Sequence, residues 1–176
     1  VLFRSVPGVA AVSPMSAGQY SVAAESNSVN VSVTGATESY AAVKNVETSL
    51  GGWFTADDVA RAAKVTVLGS KTADDLFGTG SNPVGQNVRI GGTQFTVTGV
   101  AKSKGSSGIQ NTDAAAYVTL GAASQYLSGT DALSMIDVQA ASQEEMDGVQ
   151  NSVENLMYSR HDIQDTADAD FEVGSM

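Results

Sequence analysis

The sequence contains no cysteine, which excludes disulfide bonds and thiolate chemistry within it. It is also poor in basic residues, with nine Lys and Arg against nineteen Asp and Glu and a formal net charge of −10. Nucleic acids and anionic lipids bind to clustered basic surfaces, which such a chain lacks. Neither is therefore expected as a partner. No apolar run approaches the ~20 residues of a membrane helix. What remains is a Gly-, Ala-, Ser-, Thr- and Val-rich chain of 176 residues, long enough to bury a core.

The most informative stretch is residues 63–102. An apolar run, Val65–Leu68, predicts a buried strand, and Ser70 then opens a short helix that ends before Gly78. After a Gly-rich loop, Gly91-Gly92 predicts a tight hairpin turn, because glycine adopts positive φ without steric cost. The order is therefore strand, helix, loop and hairpin.

Three segments of the sequence resemble a known protein family. VTVLGSKTADDLFG, NPVGQNVRIGGTQFTVTGVAKSKG and the earlier VPGVAAVSP resemble the periplasmic core domain of MacB-type ABC transporter permeases. The likeness runs from about residue 6 to residue 173. It implies a soluble domain that lies between the first two membrane helices of a permease. One apolar segment of ~20 residues is then expected before Val6, and three after Val173.

Other segments predict an α+β fold. Val29–Thr34 alternates strictly and predicts a half-buried strand. Helical spacing over Ser39–Leu50 predicts a helix, and Ser142 with Glu145 predicts a capping box at the start of another. Phe171–Val173 predicts a last short strand.

These elements suggest two lobes, and the resemblance implies the same division. Residues 1–45 and 128–176 are predicted to form a strand-helix-strand, porter-like lobe. Residues 46–127 are predicted to form an inserted, β-rich, sabre-like lobe.

Catalytic and metal-binding patterns are weak. His161 is the only histidine, and no G-x-S-x-G elbow accompanies it, so a hydrolase is the third-ranked hypothesis. The acidic run from Asp162 to Glu172 departs from the EF-hand pattern, because Val173 stands where that pattern has glycine. No phosphate-binding glycine motif is present. The prediction is that this domain carries no catalytic, cofactor or metal site.

A Ser- and Gly-rich loop follows Lys102, and loops of this kind often carry function. It is the candidate partner-contact surface, with a plain solvent-exposed linker as the alternative. The candidate residues are Lys102, Lys104, Gln110, Asn111 and Asp113.

The resemblance implies the extracytoplasmic domain of a membrane-embedded permease that couples ATP-driven motion to a substrate and partner proteins outside the membrane. The domain itself would not be an enzyme. Implied partners are an ATP-binding subunit or domain, a second permease copy and an extracytoplasmic adaptor. The alternative is a stand-alone secreted or surface binding or adhesion module, which flanking membrane helices would exclude.

Overall fold

A computed structural model describes residues 2–105, 112–163 and 166–175 of the chain. Its contacts divide the chain into two compact units. The first contains Val1–Val12 and Asp137–Met176, and the second contains Ser13–Ile136. Both units draw on α-helices and β-strands, which confirms the predicted α+β class.

The described part of the chain contains eight strands and five α-helices. The strands are β1 (Val9–Ala24), β2 (Asn27–Ala36), β3 (Thr48–Gly51), β4 (Val65–Leu68), β5 (Asn87–Ile90), β6 (Thr93–Ala101), β7 (Ala115–Thr119) and β8 (Met135–Ala140). The α-helices are α1 (Tyr40–Val43), α2 (Ala56–Ala60), α3 (Ser70–Phe77), α4 (Leu120–Ala123) and α5 (Met146–Arg160).

Six strands of the second unit form a closed ring. The order is β1-β2-β7-β4-β6-β5 and back to β1, with β3 paired to β6 on the outside of this path. The β1–β2 hairpin aligns nine residue pairs, from Ser16 opposite Gly35 to Ala24 opposite Asn27. The ring closes between β1 and β5 through two pairs only, Val22 with Ile90 and Ala23 with Arg89. The β1–β5 pairing therefore has the fewest paired residues of any strand pair in the ring.

Strands β4 and β7 are buried on both faces, and this explains their largely apolar sequences. Successive strand residues point to opposite faces. Leu68 and Val118 accordingly join a core cluster with α3 and α4, whereas Val67 and Tyr117 join a second cluster around Tyr40. Burying one such aliphatic side chain stabilises the fold by about 1.5–3 kcal/mol.

The central stretch folds as predicted. Strand β4 leads into α3, which begins after Gly69 and ends at Gly78, a residue with φ +87°. The β5–β6 hairpin turns at Gly91 and Gly92, both with positive φ. Valines 29, 31 and 33 line one face of β2, also as predicted.

The first unit contains α5, which buries Val149 and Val153 against the rest of that unit. The predicted capping box at its start is wrong. The Glu145 backbone N–H donates to the Ser142 backbone carbonyl at 3.3 Å. Helix α5 begins at Met146, and its N-cap residue, Glu145, makes no side-chain capping bond. The predicted strand at residues 171–173 is also wrong, since these residues are in irregular structure.

The prediction of a helix over Ser39–Leu50 is likewise wrong beyond the first turn. Helix α1 ends because Asn45 adopts a left-handed conformation with φ +51°. The chain then extends, and Thr48–Gly51 pairs with β6 as strand β3. Sheet pairing thus overrides the helical spacing of the apolar residues.

The contact-based units differ in extent from the two predicted lobes. Residues 13–45 and 128–136 pack with the ring, because β1 and β2 are two of its strands. The lobe division at residues 45 and 128 stays a prediction.

Candidate partner-contact loop

The candidate loop leaves the ring at the end of β6, where Lys102 is fastened to the segment after α1. The Lys102 backbone N–H donates to the Glu47 carbonyl at 2.8 Å. The Lys102 ammonium forms an ion pair with the Glu47 carboxylate at 3.0 Å, and both side chains are about two-thirds exposed. An exposed pair of this kind contributes little stability, so the backbone bond carries the attachment.

Asp113 ties the two ends of the loop together. Its carboxylate accepts hydrogen bonds from the Ser103 hydroxyl at 2.7 Å, the Lys104 N–H at 3.0 Å and the Gly105 N–H at 3.1 Å. These bonds, led by the one from Ser103, hold the pKa of the Asp113 carboxyl below its usual range. The carboxylate therefore stays charged at neutral pH and closes the base of the loop.

The same base is packed tightly against the start of α3. Asp113 lies in a short 3₁₀ turn, Thr112–Ala114, and the Gly69 N–H donates to the Ala115 carbonyl at 2.8 Å. A Cβ atom at Gly69 would lie 2.4 Å from the Asp113 carbonyl oxygen. Glycine is required at this position by the close approach of two backbones.

Lys104 reaches from the loop to the end of α1. Its ammonium donates to the Lys44 carbonyl at 3.0 Å, which satisfies a carbonyl at the helix C-terminus. Helix α1, in turn, is held by an aromatic cluster. Tyr40 stacks on Trp53, with the ring centroids 5.7 Å apart and an 8° angle between the rings. The centroid of the Tyr117 ring lies 5.5 Å from that of Tyr40.

The aromatic cluster is a structural support for the loop base. Phe54 is buried and Trp53 is half-buried, with its indole N–H donating to the Thr37 carbonyl at 3.4 Å. Burial, with a smaller contribution from Tyr40, raises the pKa of the Tyr117 hydroxyl above its usual range. These rings fix the position of α1 and so of the carbonyl that Lys104 contacts.

The structure therefore brings together three of the five candidate residues. Lys102, Lys104 and Asp113 lie at the loop base, and Gln110 and Asn111 lie outside the described residues. Sequence reasoning missed Glu47, Ser103 and the Lys44 carbonyl. No sequence signal links Lys44 or Glu47 to the loop, because they lie more than fifty positions away.

Other candidate chemistry gains no support. Nδ1 of His161 contacts the Asp170 carboxylate at 2.7 Å, and no serine hydroxyl bonds to this ring among the residues that the structure describes. In the same described ranges, no group of three or more His, Cys, Asp or Glu side chains could hold a metal ion. No helix within them is long and apolar enough to cross a membrane.

The fold is shared with extracytoplasmic domains of ABC-type transporters. The extracellular domain of the noncanonic ABC-type transporter YknZ from Gram-positive bacteria superimposes with a TM-score of 0.81 at 22% identity, covering 91% of this chain and 80% of that one. The periplasmic region of MacB from Actinobacillus actinomycetemcomitans superimposes with a TM-score of 0.80 at 20% identity, covering 92% and 72%. These likenesses show that the chain has the same fold as these two extracytoplasmic domains.

Sequence comparison identifies the family within that class. The family model described as the MacB-like periplasmic core domain matches residues 1–156, and the chain belongs to this family. Membership implies an extracytoplasmic location, in agreement with the resemblance found in the sequence.

Two curated relatives illustrate the match. The macrolide export ATP-binding/permease protein MacB of Chlorobium luteolum is 33% identical over 130 residues, which are 74% of this chain and 19% of that protein. The pyoverdine export ATP-binding/permease protein PvdT of Pseudomonas entomophila is 32% identical over 157 residues, 89% of this chain and 24% of that protein. The chain thus spans about a fifth to a quarter of the length of these relatives.

Proposed function

We propose that this chain is the extracytoplasmic domain of an ABC transporter permease and that it couples ATP-driven motion to events outside the membrane. The family match over residues 1–156 is the observation that carries this proposal. The domain would work mechanically and would not itself be an enzyme. ATP would be bound by another domain or subunit of the parent transporter.

The partners follow from the same proposal. A second permease copy and an ATP-binding subunit or domain would complete the transporter, and an extracytoplasmic adaptor would contact this domain. The relatives named above are described as exporters of macrolides or of pyoverdine. We propose that the parent transporter of this chain exports a substrate of one of these two kinds. The predicted inserted lobe, residues 46–127, would carry the contact loop toward the extracytoplasmic adaptor.

The loop base supports a role in transmitting force. Asp113 joins both ends of the loop through three hydrogen bonds, and Gly69 packs the base against α3 without room for a side chain. A loop anchored in this way moves with the ring. Force at the loop would therefore reach the strands of the ring through backbone contacts.

The coupling can be tested in the complete parent transporter. Gln94 is exposed on β6, so Gln94→Cys can carry a spin label in each copy without disturbing the core. We expect the distance between the two labels to change between the nucleotide-free and the ATP-vanadate-trapped states. Identical distance distributions in the two states would contradict mechanical coupling through this domain.

The contact role of the loop needs a second experiment. A photo-crosslinking amino acid at Lys104 should form adducts with the second permease copy or with an adaptor in intact cells. The same amino acid at Gln94, on the outer face of the β5–β6 hairpin, is the matched control. Equal adduct patterns at the two positions would argue against a contact surface at the loop.

A further inference from the structure

The chain reverses direction at the end of α5 and returns along its last turn. Asp162 adopts a left-handed conformation with φ +53°, and the Ile163 N–H donates to the Tyr158 carbonyl at 3.0 Å. This is the hydrogen bond of a Schellman motif, in which the residue after the C-cap is left-handed. Asp is among the few non-glycine residues that adopt this conformation readily. Helix α5 therefore ends in a left-handed turn at Asp162.

Two adjacent residues of the returning segment then contact the last turn of α5. Nδ1 of His161 lies 2.7 Å and 2.9 Å from the two carboxylate oxygens of Asp170. The Phe171 ring lies 4.9 Å from the Tyr158 ring and meets His161 edge-on at 5.6 Å. The contacts thus combine an ionic or hydrogen-bonded pair with an aromatic cluster.

The contact with Asp170 selects one tautomer of the neutral imidazole. A carboxylate can only accept, so Nδ1 must carry the proton that it shares with Asp170. In the neutral ring, the hydrogen therefore lies on Nδ1 and Nε2 is left as an acceptor. A free neutral histidine prefers the opposite tautomer, and the tautomer thereby reports whether the contact with Asp170 exists.

We infer that residues 166–175 form a latch on the C-terminal end of α5, closed by Asp170 and Phe171 on His161 and Tyr158. All four residues belong to the first unit. The four contacts are at or near the surface, with the His161 side chain 36% exposed and the Asp170 side chain 63% exposed. Contacts that bury so little surface open locally without unfolding the helix, which makes the segment a two-state element.

The latch goes beyond the proposed function. It lies wholly past the residues that the family model matches, which end at 156. The latch determines whether the chain that leaves α5 is held to the folded unit or is free. Its failure would leave the transporter assignment unchanged.

The test uses the full 176-residue chain and two measurements. The first is the nitrogen chemical shifts of the single imidazole, recorded well above the usual range of histidine titration. We expect the Nδ1–H tautomer in the unaltered chain and its loss in Asp170→Ala. The second is the nuclear Overhauser contact between the Phe171 and Tyr158 rings, which we expect in the unaltered chain and expect to weaken in Asp170→Ala.

Asp168→Ala is the matched control, because this nearby carboxylate is exposed and forms no side-chain hydrogen bond or ion pair within the described part of the chain. It should leave both measurements unchanged. In amide hydrogen exchange, Val149 and Val153 should stay protected in both variants, which separates opening of the latch from unfolding of α5. Absence of the ring contact in the unaltered chain, or a tautomer unaffected by Asp170→Ala, would overturn the proposal.

Discussion

Replacing Asp113 by Asn should weaken the base of the contact loop and destabilise the second unit. The carboxylate receives three hydrogen bonds, two on one oxygen and one on the other. The amide of Asn offers a single acceptor oxygen, so at least one bond is lost together with the negative charge. Hydrogen bonds to charged groups contribute about 1.5–3 kcal/mol when buried, and partial exposure reduces this. We expect a loss of roughly 1 kcal/mol in the free energy of unfolding at pH 7.

The effect should depend on pH in a direction set by the lowered pKa of Asp113. A carboxyl whose pKa is lower in the folded state stabilises the fold above the unfolded pKa. That stability is lost as pH falls through the unfolded and then the folded pKa. The difference between the original chain and Asp113→Asn should therefore be complete at pH 7 and shrink below about pH 4.

Urea unfolding followed by the fluorescence of Trp53 is the appropriate assay, since this single tryptophan lies in the same unit as Asp113. Asp74→Asn is the matched control, because Asp74 is exposed on α3 and its side chain makes no contact with the described residues. The control should stay within about 0.5 kcal/mol. If Asp113→Asn matched the control at pH 7, the loop base would not depend on the carboxylate.

Three further predictions concern the ring and its aromatic support. Gly69→Ala should lower the free energy of unfolding by about 1–3 kcal/mol in urea titrations, whereas Gly52→Ala, whose added Cβ meets no atom within 4 Å, should have little effect; equal effects would refute the close-approach argument. Ile90→Ala should cost about 2–5 kcal/mol in the same assay, because Ile90 is fully buried beside the short β1–β5 pair; a loss under about 1 kcal/mol would contradict its place in the core. In a spectroscopic alkaline titration, Tyr117→Phe should remove a tyrosine that ionises above the usual range, since burial raises the pKa of that hydroxyl; an unchanged titration at high pH would contradict this.

Local sequence patterns were sufficient to predict the strands and turns that depend on nearby residues. The β5–β6 hairpin follows from Gly91-Gly92, and strand β2 follows from its alternating valines. The capping box at Thr55 and Asp58 is another local feature, with both reciprocal bonds present. In each case, the sequence pattern spans fewer than ten positions.

Long-range pairing defeated the same reasoning elsewhere. Thr48–Gly51 is a strand because β6 offers it a partner about fifty positions away, and no local signal reveals that partner. Val9–Ala24 is one continuous strand of sixteen residues although Pro14 lies inside it. Closure of the ring between β1 and β5 is equally invisible in the sequence.

The candidate site shows the same division. The composition of the loop identified Lys102, Lys104 and Asp113, and the structure places these three residues at its base. The role of Asp113 as the acceptor that joins the far end of the loop to its start depends on a fold that returns the chain after ten positions. The contribution of Glu47 depends on α1 ending early, which its sequence did not predict.

We propose that this chain is the extracytoplasmic part of a membrane-embedded permease. Labelling of Gln94→Cys in the complete parent protein, with its other cysteines replaced, by a maleimide that cannot cross the cytoplasmic membrane tests this location. We expect labelling in intact cells and recovery of the labelled protein in the membrane fraction. Labelling only after the membrane is opened, or recovery of the labelled protein free in the medium, would contradict the proposal. The second result would instead favour a secreted binding module.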